Sequence, residues 1–152
     1  GFDKSCELRE RSTVTPQIFA MFNNQGSHDR ALALASRAMS ESSSELETIQ
    51  RLFQLVYGRK VSAQEQRACL AHWKIMTEKQ SQRMVKPQPY PTEVIRHAVE
   101  EMNGEKFSFN EPLDVYKDFV SDLKPWQVSA KVRGLADLCL VLLCTNEMLY
   151  IP

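Results

Sequence analysis

Apolar residues recur at helical spacing in five stretches of this chain, and each stretch is bounded by residues that start or stop helices. Thr15-Pro16 reads as a helix start, with Thr as cap and Pro preorganised at the first position. Ile18, Phe19, Met21 and Phe22 supply the apolar surface of a short helix ending near Asn23-Asn24. Gln25-Gly26 breaks it, and Ser27 caps a second helix striped by Ala31, Leu34, Ala35 and Ala38. After the polar break Ser40–Ser44, Ser44-x-x-Glu47 reads as a capping box. Ile49, Leu52, Phe53 and Val56 form the stripe of the helix it opens, and Gly58 stops that helix. Ser62-x-x-Glu65 is a second capping box, opening a helix striped by Cys69, Trp73 and Met76 that runs to about Arg83. These two helices, joined by Gly58–Val61, are expected to pair antiparallel.

The pattern then changes. Three prolines at alternating positions in Lys86–Pro91 favour an extended link. Glu93–Glu101 and Glu105–Phe109 flank Asn103-Gly104, a hairpin signal, which predicts a two-stranded ribbon; a helix over Thr92–Met102 is the rival reading. A short helix with Tyr116 and Phe119 is expected within Glu111–Leu123, ended by Pro125-Trp126. From Ser129 to Leu149 a long helix is expected, and Leu138–Cys144 is apolar on every side, which places it at the centre of a bundle. The fold class is therefore mainly α: a single-domain bundle of about six helices around a buried C-terminal helix, with a small β-hairpin after the proline-rich link. Residues 1–83 form the N-terminal helical part, 84–92 the link, and 93–152 the hairpin and C-terminal helix.

Composition narrows the function classes. With 152 residues, one domain is the default, and no disulfide or metal is required for folding. Lys+Arg and Asp+Glu both number 19, so the zero formal charge argues against a broad footprint for nucleic acid or anionic lipid. The Leu138–Cys144 run falls far short of the roughly 20 residues a membrane helix needs. Cys6, Cys69, Cys139 and Cys144 show no CxxC, CxxCH or zinc-finger spacing. Cys139 and Cys144, on one helix, stand about 7.5 Å apart along its axis, too far for an unstrained disulfide. Buried free thiols are the favoured reading, with a bridge through Cys6 or Cys69 left open.

No catalytic, cofactor or metal residue set stands out. Arg9, Arg11, Ser12, Thr13, Thr15, Gln17, Asn23 and Asn24 form a dense polar set beside a helix start. Such a set suits an anion or a sugar hydroxyl, but tying an irregular segment to the bundle is the stronger reading. Asp137 and Glu147 are ten residues apart, near three turns, so they face one way on a continuous helix. With Asn146 they are candidates for an acid–base pair, or more simply for a tie to an arginine such as Arg9 or Arg11. Cys69-x-x-His72 lacks a second half with ligand spacing. Tyr90 and Trp126 each follow a proline and are the candidate exposed aromatics, whereas Trp73 fits a core position.

Cys6-x-x-Arg9-x-x-Ser12-Thr13-x-Thr15-Pro16-Gln17, with Asn23-Asn24, resembles a domain of unknown function of planctomycetes and related bacteria. So do Leu135–Leu142, Asn146-Glu147-x-x-Tyr150, the Tyr57-Gly58-Arg59 turn, Asn103-Gly104-Glu105 and Leu113–Tyr116. The resemblance implies a C-terminal domain of large exported proteins, preceded by a second domain of unknown function and often by a cytochrome c-type domain. Dense motifs at both ends carry the same expectation, a domain cut from a larger protein. It implies an extracytoplasmic location, with the upstream domains of the parent as partners. It implies no cofactor in this domain, and any haem c in an absent upstream one. It carries no catalytic residue. Cys144 stands where the family pattern has Asn or Ser. The expected function is a non-catalytic interaction or architectural module. The rivals are a module binding carbohydrate or an anion, and part of a hydrolase site completed by an upstream domain; carbohydrate or another exported protein is the further expected partner.

Overall fold

The computed structural model of the chain describes residues 14–88 and 90–149, with backbone alone for 14–17. Within them lie six α-helices: α1 (Val14–Phe22), α2 (Gln25–Ser40), α3 (Glu45–Tyr57), α4 (Ala63–Gln82), α5 (Ala130–Leu143) and α6 (Asn146–Leu149). A two-stranded antiparallel hairpin joins β1 (Glu93–Val99) to β2 (Lys106–Pro112), and the fold is mainly α. Contacts divide the chain into two units, a helical one built from the residues up to 84 and from 123 onward, and a hairpin unit over 85–122. Among the described residues no helix is long and apolar enough to cross a membrane.

The helix boundaries follow the local chemistry. Ser62 and Glu65 complete the reciprocal capping box that opens α4, each taking the other's backbone N–H. At α3 only half of the box forms: the Ser44 hydroxyl accepts from Glu47 N–H, but the Glu47 carboxylate reaches past it to Ser43 N–H. Gly58 ends α3 in the left-handed region at φ 67°, where a side chain would be strained. The start of α2 departs from expectation. Asn24, extended at φ −85° and ψ 127°, takes Gly26 N–H on its side chain, so the helix begins at Gln25 and Ser27 lies inside its first turn.

In the helical unit α5 packs along both α2 and α4. Ala31, Ala35 and Ala38 of α2, Ile49, Leu52 and Phe53 of α3, Cys69 and Trp73 of α4, and Leu135, Leu138, Cys139 and Leu142 of α5 form one buried core. The small residues of α2 and Gly134 of α5 let helix axes approach closely. A Cβ on Gly134 would fall 2.5 Å from the Thr77 backbone nitrogen. Trp73 is 3% exposed, and its indole N–H donates to Lys131 O at 2.9 Å, which satisfies the one polar atom it buries.

The C-terminal helix is not continuous. It breaks at Cys144-Thr145 because the Leu142 carbonyl is occupied by the Tyr57 hydroxyl (3.2 Å) and the Thr145 hydroxyl (2.8 Å), and α6 starts afresh at Asn146.

In the hairpin unit the predicted ribbon is present, and β1 pairs with β2 from Glu93↔Pro112 to Val99↔Lys106. Glu100 and Glu105 close a loop of residues 101–104, in which Gly104 takes φ 73° and the Glu100 carboxylate accepts Met102 and Asn103 N–H. The expected helix around Tyr116 and Phe119 reduces to one 3₁₀ turn, Asp114–Tyr116; Phe119 lies beyond it and meets Tyr116 edge to face at 5.8 Å.

Candidate functional site

Charged side chains gather first at the turn between α3 and α4. Arg59 donates through both terminal nitrogens to Glu65, and through Nε and Nη2 to Glu147 of α6 at 2.6 and 2.9 Å. Its guanidinium also lies 5.2 Å from the Phe53 ring centroid and 5.4 Å from that of Tyr57. Arg59 hydrogen bonding, then the Ser62 hydroxyl and N–H, pull the Glu65 carboxyl down to about 2. Arg59 likewise lowers Glu147, and the two carboxylates hold the guanidinium protonated. Both acids are ionised at neutral pH, so neither offers a proton for general-acid work. Tyr57 beside them bonds Thr145 at 2.9 Å, and burial pushes its phenol up.

A second polar group closes the far end of α4. Asp137 accepts from Gln80 Nε2 at 2.8 Å. Arg133, one turn earlier on α5, donates to the main-chain oxygens of Gln80 (3.1 Å), Val128 (2.6 Å) and Pro125 (3.2 Å). It thereby caps a carbonyl from the last turn of α4 and fixes the segment that leads into α5. Trp126, within that segment, is half-buried.

These two groups separate the acids that the sequence pairs. Glu147 shares Arg59 with Glu65, whereas Asp137 is bonded to Gln80, fifteen residues further along α4. That spacing is about 22 Å of helix axis. A carboxylate pair that cleaves glycosides by direct or water-mediated attack spans about 5–10 Å. The break at Cys144-Thr145 is what turns Glu147 toward the α3–α4 turn. Asn146 is exposed on α6.

A surface cleft of about 590 Å³ lies beside Trp73, with Lys74, Thr77, Lys131 and Glu45 on its walls. Lys131 pairs with Glu45 at 2.7 Å and sets its ammonium 5.3 Å from the Trp73 ring centroid. The indole is therefore covered and offers no face to a sugar ring. Cys69, Cys139 and Cys144 are free and buried, and burial raises each thiol, Cys139 most strongly. His72 stands on α4 with Nε2 buried and unpaired among the described residues.

Arg9, Arg11, Ser12 and Thr13, like Cys6, lie outside the described residues, and so do the side chains of Thr15 and Gln17. Of the candidate aromatics, Tyr90 is 40% exposed. In the hairpin unit, larger apolar exposure appears on the ribbon: Ile95 61%, Val99 56%, Phe107 48% and Phe109 48%.

Residues 2–73 match the family described as PSD1, protein of unknown function (DUF1553). The match spans the N-terminal motif, α1 to α3 and the first half of α4, with Arg59 and Glu65 inside it. The hairpin, Asp137 and Glu147 lie beyond it. No curated protein and no solved structure matches the chain.

Arg59, Gln80 and Arg133, which organise both polar groups, are absent from the residues singled out by sequence as a site. Arg59 had a signal, its place after Gly58 in the turn noted for the resemblance.

Proposed function

We propose that this chain is a non-catalytic interaction or architectural module of a larger exported bacterial protein. One observation carries the reading: the hairpin unit leaves Ile95, Val99, Phe107 and Phe109 about half exposed on a ribbon that has two strands among the described residues. A lone hairpin is marginal in water, and apolar side chains on both of its faces are contact area waiting for a protein surface. The helical unit supports the same reading from the other side. Glu147 and Asp137 are engaged by Arg59 and Gln80, and its described thiols are buried with raised pKa values. The C-terminal placement, the planctomycete setting, the export and a c-type haem in a preceding domain are proposed from the resemblance of the end motifs.

The test uses the intact parent from its native host, cross-linked through lysines and mapped by mass spectrometry. Cross-links from Lys86, Lys106 or Lys117 of the hairpin unit to other protein segments are the expected result. An absorption spectrum of the same sample reads the haem. A hydrolytic activity of the parent that Glu147→Gln or Asp137→Asn abolishes without unfolding it would overturn the reading.

A further inference from the structure

The two outer edges of the hairpin differ, and the register shows how. Leu113 N–H donates to Thr92 O, and Glu100 N–H to Glu105 O, each at 2.8 Å. The pairs 92/113 and 100/105 are thus the hydrogen-bonded kind, and by alternation so are 94/111, 96/109 and 98/107. Glu93, Ile95, His97 and Val99 then point their backbone N–H and C=O groups away from β2. On β2 the outward residues are Lys106, Ser108, Asn110 and Pro112.

The β2 edge carries the two devices that block strand addition, a lysine and a proline without an N–H. The β1 edge has neither. It presents Ile95, His97 and Val99, and the sheet contains only β1 and β2 among the described residues. Charge narrows the partner. The hairpin unit, Val85–Asp122, holds eight carboxylates against four Lys and Arg, a net charge of −4. Glu93 stands at the start of the β1 edge, and Glu100 and Glu101 at its end, so an apolar edge is bracketed by acids. Glu93 and Glu100 are seven positions apart, about 23 Å along a strand.

We propose that the β1 edge is a strand-accepting docking edge for an extended protein segment whose apolar centre is bracketed by Lys or Arg about six residues apart. This rests on the interaction-module reading and assigns its surface. A second copy of the chain fits less well, because edge-to-edge pairing joins two units of −4 each. A bound strand completes a three-stranded sheet through main-chain hydrogen bonds, and the flanking cations meet Glu93 and Glu100/Glu101.

The probe is a labelled peptide, Lys-Thr-Val-Thr-Val-Thr-Lys with blocked ends, titrated with the full chain by fluorescence anisotropy. His97→Pro removes an outward N–H of β1; Ser108→Pro removes its counterpart on β2. Both variants lose the His97–Ser108 side-chain bond of 2.7 Å, so that loss cancels between them. Binding is expected to fall by about tenfold in His97→Pro and to persist in Ser108→Pro. Ile95→Lys, which leaves the backbone intact, is expected to weaken it as well. In the unsubstituted chain the peptide is expected to slow amide exchange at Ile95, His97 and Val99.

Equal loss in both proline variants, slowed exchange at Ser108 and Asn110 instead, equal binding of the peptide with Glu in place of Lys, or self-association through β1 would each overturn the assignment. If no peptide binds while the parent still cross-links through the hairpin unit, the edge assignment falls and the interaction reading stands. If the parent's activity depends on Glu147, the reading falls on its own evidence.

Discussion

Gly134→Ala tests the packing of α4 on α5 with two effects of opposite sign. Alanine is the better helix former, and in the interior of α5 that alone is worth about 1 kcal/mol in its favour. The added Cβ meets Thr77 at 2.5 Å from N, 2.6 Å from Oγ1 and 2.7 Å from Cα. Two of these three atoms are backbone of a neighbouring helix, which has no rotamer to yield. Overpacking of this kind costs about 1–3 kcal/mol, and a rigid neighbour puts the cost at the upper end. The balance is a net loss of about 2 kcal/mol, or about 4–8 °C in Tm for a chain of this size. Urea unfolding followed by far-UV circular dichroism reads it, with unchanged m as the sign that the compactness of the end states is preserved. Ala71→Gly, at an exposed position of α4, calibrates the propensity effect at about 1 kcal/mol in the other direction. A Gly134→Ala chain as stable as the unsubstituted one, or more so, would refute the close approach.

Three further outcomes follow from the helical unit. Glu65 is held at about 2 in the fold against an ordinary 4.5, so its contribution is full above about 4.5 and is lost as pH falls toward 2. The urea midpoint should therefore drop on acidification through that window, and Glu65→Gln should flatten the drop; an unchanged acid limb in the variant would count against the Arg59 cluster. Gly58→Ala places a side chain at φ 67° and should cost about 1 kcal/mol, read as a lower thermal midpoint; no change would mean α3 ends differently. Cys139, fully buried with a raised thiol pKa, should react with a thiol reagent only at the rate of unfolding, and fast labelling of the native chain would contradict the core.

Elements whose signals are local were legible in the residues. The Ser62/Glu65 box, Gly58 as a stop, the Ile49–Leu52–Phe53 stripe and the Asn103-Gly104 hairpin all depend on residues within a turn or two of each other. The end of α5 was not legible, because its cause is Tyr57, 85 residues away, competing for the Leu142 carbonyl. Glu147 reads as an acid needing a cation, but the choice of Arg59 depends on that same break and on a partner 88 positions away. At α2 the sequence points to Ser27 as the cap, three residues after the residue that caps the helix. Asn24 prevails because its side chain reaches Gly26 N–H from an extended backbone, while Gly26 tolerates the first turn. Around Phe119, two aromatics at helical spacing suggested a helix, yet Tyr116 and Phe119 pack on each other beyond a single 3₁₀ turn.

The hairpin unit is, on this reading, a contact surface for other protein. Hydrogen–deuterium exchange of this chain, alone and within the native assembly of its parent, addresses the claim most directly. Slower exchange across 93–112 in the assembly, greatest at Ile95, His97 and Val99, is the predicted result. Unchanged exchange over the hairpin, with new protection confined to the helical unit around Arg59 and Glu147, would contradict it.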